Sequence, residues 1–428
     1  MYLSVPNSKL LNAEEKMTVK EMYDHRVKVV NDAIALKEPD HVPVAPMLSC
    51  VPYFLFGSSF KESMYEYEKA EDSVVKFFER YHPDAHNFNP HRSGRANELA
   101  GSNMIDWPGR PGTMVDDSST YQVIEHEYME QDEYDELLSD FTGYMLRKYI
   151  PRAFPKLEPL CKFKLNPASI LGTKFLASIG TEELMGAYEL LGKIGAEERK
   201  ADESNARLTK KLAEMGFPGF KNGFGEAPFD IISDYFRGTM GTFEDLLECP
   251  EDIERACDFF ADIQIESWQY FKGKEMPYKR VYFPLHKGMD GFMSPDQFRD
   301  LYWKPLKKLI YALIDLGVTP VLYGEGPYDT RIEQLTDIPV GKCVLHLEKA
   351  DMAKAKRILG DKVCLTGNLS IYLLEHGTKE QVVDETKKLL DICAPGGGYI
   401  FDTNACMGNA KLENVDAMFE TLDVYGKY

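Results

Sequence analysis

The chain has 428 residues, 44% of them hydrophobic and 28% charged, with 50 Lys and Arg against 69 Asp and Glu for a formal net charge of −19. That balance argues against nucleic acid as a partner, since phosphate binding needs concentrated Lys and Arg, and against an anionic membrane surface. The eight cysteines (50, 161, 249, 257, 343, 364, 393 and 406) are scattered with no Cys-x-x-Cys, so in a chain this large they read as free thiols, not disulfide staples. The N-terminal residues lack a basic stretch followed by an apolar one, and no run approaches the roughly 18 apolar residues of a membrane helix. A reduced, cytoplasmic protein is expected.

Residues 1–40 read as a polar N-terminal helical extension, with Met22, Val27, Val30, Ala33 and Ile34 on one face. Pro39, Asp40 and Pro43 break the pattern, and Val42–Met47 is a candidate first strand. A helix over Glu68–Tyr81 leads to a second strand, Asp84–Pro90. Residues 91–165 are the least regular part and read as an insertion or cap over one end of the domain, with the decorated insertion as a whole spanning about 91–225. Within it, Asp116–Asp140 is an acidic, solvated face, Thr181–Met215 a long helix and Gly216–Gly225 a loop. Thr242–Phe271 is predicted to be helical.

From Val281 the rhythm is strand–helix with short links. Val281–Leu285 is an apolar strand. Ser294, Pro295 and Gln297 then open a capped helix that buries Leu306, Leu309, Ile310, Leu313 and Leu316 and stops at Gly317. Strands are expected at Thr319–Tyr323, Lys342–Leu347, Val363–Thr366 and Tyr399–Asp402. Their continuous apolar runs suit parallel strands covered on both faces. The predicted fold over 41–428 is a (β/α)₈ TIM barrel, with a doubly wound sheet as the alternative. The barrel is favoured because no Gly-x-Gly-x-x-Gly follows the first strand.

In either architecture the reactive face lies at the carboxyl ends of the strands. Glu325, His346 and Cys406 stand there and supply one oxygen, one nitrogen and one sulfur donor, the ligand types zinc accepts. The bland readings are a solvated loop acid, a core histidine and a small buried residue. Glu348 is a spare ligand, or the partner that orients His346. Tyr323, His286, Met289 and Phe283 are placed to line a pocket, while Asp230 and Asp290 are candidate polar contacts or proton carriers. Asn368 is a pocket residue at the end of another strand.

Several phrases carry a resemblance: Pro228–Ile232, Met293–Phe298, Lys354–Asp361, Leu365-Thr-Gly-Asn368, Gly398–Ile400 and Lys411–Val415. They make the chain resemble the uroporphyrinogen decarboxylase superfamily, which includes the zinc methyltransferases of corrinoid systems, and that resemblance implies the barrel. Uroporphyrinogen decarboxylases carry an arginine-bearing motif after the first strand. Here Pro46–Phe54 holds no arginine, so decarboxylation is disfavoured. Coenzyme M methyltransferases carry His-x-Cys where this chain has Tyr323-Gly-Glu325, and a later Cys where it has Cys406. A Glu, His and Cys set resembles instead the ether-cleaving methyltransferase I components of O-demethylases.

That resemblance implies a zinc site of Glu325, His346 and Cys406, with Glu325 and Asp290 as catalytic residues. Tyr323, His286, Met289, Asp230 and Asn368 would contact a small methylated donor, expected to be an O-methyl aromatic. The chain has no corrinoid-binding Asp-x-His-x-x-Gly motif, so the cobalamin is expected on a partner corrinoid protein. The alternatives are transfer from methyl-corrinoid to a thiol or folate, a cofactor-free decarboxylase, and an inactive binding barrel. The sequence leaves a homodimer open.

Overall fold

A computed structural model describes residues 16–88 and 90–428. Residues 1–15 of the expected extension lie outside the described residues. The barrel strands are β1 (Met47–Leu48), β2 (Asn87–Phe88), β3 (Gly223–Phe224), β4 (Arg280–Leu285), β5 (Thr319–Pro327), β6 (Val344–Lys349), β7 (Cys364–Thr366) and β8 (Tyr399–Ile400). A six-stranded sheet, β8-β7-β6-β5-β4-β3, and a two-stranded one, β1-β2, are parallel throughout. Parallel bridges Val44–Phe401 and Leu48–Met407 join β8 to β1, and His86–Gly219 joins β2 to the chain leading into β3. The ring therefore closes over eight strands, as the sequence predicts.

The helix Val19–Ile34 opens on a capping box of Thr18 and Glu21, which satisfies two otherwise orphaned N–H groups. It does more than lead in. Val30, Ala33 and Ile34 pack with Ala45, Ala85, Phe220, Val321, Val344, Cys364 and Ile400, so its apolar face plugs the floor of the barrel. Arg280, buried at the start of β4, donates to Asn31 at 2.6 Å and to the Phe220 carbonyl at 3.0 Å.

Three expectations change. The Gly216–Gly225 segment is not a loop but carries β3, so the insertion ends before it. Its glycines let it pack: a Cβ on Gly223 would meet Val281 at 2.8 Å, and one on Gly225 would meet Phe283 at 2.5 Å. The stretch 242–271 is two helices, Gly238–Glu248 and Pro250–Ser267, followed by a turn of 3-10 helix; Pro250 has no N–H with which to continue the first. The strand carrying Tyr323 runs on to Pro327 with a register shift between Gly324 and Pro327, so Glu325 sits in an irregular strand end, not a free loop.

The insertion contains a small antiparallel ribbon (Ile105–Asp106 with Gln122–Val123) and a 33-residue helix, Glu182–Glu214. A buried ionic knot fastens it to the barrel. Arg237 is paired with Asp245 at 2.7 Å and donates to the Met129 carbonyl at 2.6 Å, and Tyr134 donates to Asp245 at 2.7 Å. Arg237 is 2% and Asp245 0% exposed, so removing one partner strands the other's charge away from water. Asp245→Ala is expected to lower stability by about 3–5 kcal/mol, read as a lower urea midpoint.

Candidate active site

One cavity of 1320 Å³ opens at the carboxyl ends of the strands. Ribbon residue Val123, Tyr121 just before it, and helix residues Asn205 and Thr209 complete its wall, which places the insertion over the mouth. Of the residues expected there, Tyr323, His286, Met289, Glu325 and Cys406 line it.

The centre of the site is His286, on the loop after β4. Asp230, fully buried, sets that loop: its carboxylate accepts the backbone N–H of His286 (2.8 Å) and of Lys287 (3.0 Å) and the Tyr302 hydroxyl (2.7 Å). Asp230 is therefore a positioning group beneath the site, not part of the cavity surface. Asp234 stands one helical turn on and accepts His286 Nδ1–H. On the other side, His286 Nε2 lies 3.1 Å from Glu325 Oε2. Burial alone would push the imidazole's pKa down; the Asp234 hydrogen bond and the charges of Asp230, Asp234 and Glu325 outweigh it and carry it up to about 10. Burial raises Asp230, further lifted by Asp234, to about 7. Burial also raises Glu325, against the opposing pull of His286.

Other expected residues are placed differently. Asp290 accepts from the Thr330 hydroxyl at 2.6 Å and its N–H at 3.0 Å, which pins a turn. The Asn368 amide donates to the Ala350 carbonyl, and Phe283 packs edge-on against Trp268. Neither these three nor Asp230 lines the cavity. Glu348 accepts the N–H of Gly326, a positive-φ residue, and so shapes the turn that presents Glu325. His346 is oriented by Asp402 instead, with Nδ1 3.4 Å from its carboxylate. Its Nε2 lies 3.2 Å from the Asn404 carbonyl, and its ring stands edge-on to Tyr323 at 4.6 Å.

Glu325, His346 and Cys406 offer the donor types zinc takes, and Glu325 and Cys406 share the cavity wall. The set fits in kind but is not closed up: the three do not bring ligand atoms within 4.8 Å of one another. Among the described residues the group that does so is His25, Asp40 and His41, at the opposite end of the barrel. There His41 bridges Asp40 (2.7 Å) and Asp84 (3.0 Å). To meet Glu325 and Cys406 on a metal, His346 would have to turn from the Asn404 carbonyl.

Sequence reasoning missed Asp234, Asp402, Glu226 and Lys221. Asp230 and Asp234 are four apart in a helical stretch, the spacing that shares a face, and that signal was available. Burial raises Glu226 to about 7, although the Tyr235 hydroxyl donates to it at 2.8 Å.

A family model described as Uroporphyrinogen decarboxylase (URO-D) matches residues 208–425. Among solved structures the chain is similar to a methyltransferase from Methanosarcina mazei, with a TM-score of 0.57 and 16% identity over 94% of this chain and 98% of that one. At that identity the likeness is one of fold. No curated protein matches the chain.

The His286 environment predicts a titration. Its folded pKa lies above the ordinary histidine value near 6.5, so the stability it contributes is complete below about pH 6.5. That contribution is lost as pH rises through about 10. Proton-detected NMR of the imidazole should show it charged at neutral pH. Asp234→Asn should move the titration to lower pH.

Proposed function

The chain belongs to the uroporphyrinogen decarboxylase family, and on that premise we propose that it is a methyltransferase acting on a methyl ether. The donor is a small O-methylated compound, an aromatic by preference, and the acceptor is the Co(I) corrinoid of a separate protein. The observation that carries this reading is the cavity itself. Tyr53, Phe60, Tyr121, Tyr282 and Tyr323 wall it, and Glu325, His286 and Cys406 all open onto it. Aromatic walls suit a flat apolar ring, and Tyr282 and Tyr323 are stacked at 6.3 Å. The protein of like fold is itself a methyltransferase, which supports the same choice. The stretch after β1 brings no arginine for the carboxylates of a porphyrinogen.

Glu325, His346 and Cys406 would hold zinc, which supplies Lewis-acid chemistry at the ether oxygen and so eases departure of the phenolate. The protein's own groups have separate tasks. Glu348 holds the turn of Glu325 through the Gly326 N–H. Asp402 fixes the His346 ring. His286, kept cationic by Asp234, holds the Glu325 carboxylate through Nε2 at 3.1 Å and so orients it. Asp230 keeps the His286 backbone still.

Protein purified without chelator is expected to hold about one zinc per chain. It should form methylcobalamin from a methoxylated phenol and cob(I)alamin in the presence of the partner corrinoid protein. Glu325→Ala and Cys406→Ala should lose both properties. Asp402→Asn should weaken metal affinity and turnover by roughly 10- to 100-fold, and, because the same carboxylate accepts the Met47 N–H at 2.8 Å, it should also lower the melting temperature. Full activity in metal-free protein, or no transfer from any methyl ether, would sink the proposal.

A further inference from the structure

Beside Glu226, whose buried Oε2 has no hydrogen-bond partner among the described residues, two basic groups set into the cavity wall likewise have a nitrogen with none. The first is Lys221. Its ammonium makes no hydrogen bond and no ion pair, and it lies 3.9 Å from the centre of the Tyr282 ring. The second is His86, 8% exposed, whose Nε2 is buried with no hydrogen-bond partner. Adjacent strands bring them together. His86 is bridged to Gly219, and Lys221 lies two residues further on, so both side chains share one face.

The contrast with the neighbouring lysine is instructive. Lys287 is paired with Glu125 at 2.7 Å and with Asp234 at 3.4 Å, and bonds Thr239 at 3.0 Å. Lys221 has the Tyr282 ring face and no carboxylate within bonding distance among the described residues. Burial pushes it down to about 8, partly offset by Cys406 and Asp402. Burial, helped by the Lys221 charge, pushes His86 down to about 4, so its imidazole is neutral and one of its nitrogens carries a proton to donate. A half-desolvated ammonium beside a neutral imidazole is a costly arrangement unless an anion completes it. Arg92 also borders the cavity, but it is exposed and lies over Tyr121 at the rim.

We propose that Lys221 and His86 form the anion-binding end of the cavity and take a carboxylate of the methyl donor, with Lys221 supplying charge and His86 Nε2–H a second hydrogen bond. The donor class narrows to methylated compounds that bear a carboxylate. That narrowing rests on the methyl-transfer reading; the anion site does not.

The test uses ligands that carry no methyl group to transfer, so a failure of methyl transfer leaves it readable. Calorimetry on the full chain compares benzoate with benzyl alcohol, its neutral counterpart. Benzoate is expected to bind more tightly by on the order of 10- to 100-fold, the range of a charge-assisted hydrogen bond. Lys221→Met should abolish the preference, Lys221→Arg should retain part of it, and His86→Gln should reduce it. Equal affinity for the two ligands in the unaltered protein overturns the proposal, whether or not the variants fold. So does a preference that survives Lys221→Met and disappears in Arg92→Ala.

Discussion

The barrel closes on a buried carboxylate. Asp402, just past β8, accepts the N–H of Met47 from β1 at 2.8 Å and that of its neighbour Thr403 at 2.7 Å. The two strands it joins are only two residues long, too short to hold a seam by ladder bonds alone. The same carboxylate faces His346. Backbone bonds such as Phe401 N–H to Pro43 (2.8 Å) and Met407 N–H to Met47 (3.0 Å) share the seam, and the one side chain that serves both the seam and the site's imidazole is a buried acid satisfied by backbone donors, a rigid anchor for both.

Around the mouth the electrostatics are set by an imbalance of charge. Asp230, Asp234 and Glu325 surround the single imidazole of His286. Asp230 is buried and Asp234 and Glu325 are half-buried, so their charges are only partly shared with water. The cheapest arrangement is a retained proton on His286 and a carboxyl raised towards neutrality at Asp230. The site thus keeps a cation at one wall and weakly basic carboxyls beneath it, groups able to exchange protons near neutral pH.

The second half of the barrel was legible because its strands are continuous apolar runs ended by polar residues, and because capping boxes such as Ser294 with Gln297 announce the helices between them. The first half was not. β3 is built of Gly and Phe, and its glycines serve close packing against β4, which no local periodicity records. Lys221 was hidden with it. Tyr323, His286, Met289, Glu325 and Cys406 were readable as cavity residues from their positions after strands. Asp290 and Asn368 satisfied the same rule, yet their side chains turn to the Thr330 turn and the Ala350 carbonyl. A strand end fixes where a residue stands; which neighbour its side chain chooses is a tertiary matter.

The pairing of Lys287 with Glu125 has a mechanical side. Lys287 follows directly on His286, and both backbones hang from Asp230. Glu125 belongs to the segment that runs over the mouth, and it also accepts from Thr239. The roof and the central imidazole are thus two ends of one short lever pivoted on a buried acid. A displacement of that segment would act, through Lys287, on the loop that carries His286. The cover of the cavity and the placement of its central imidazole are thus held by one connected set of bonds.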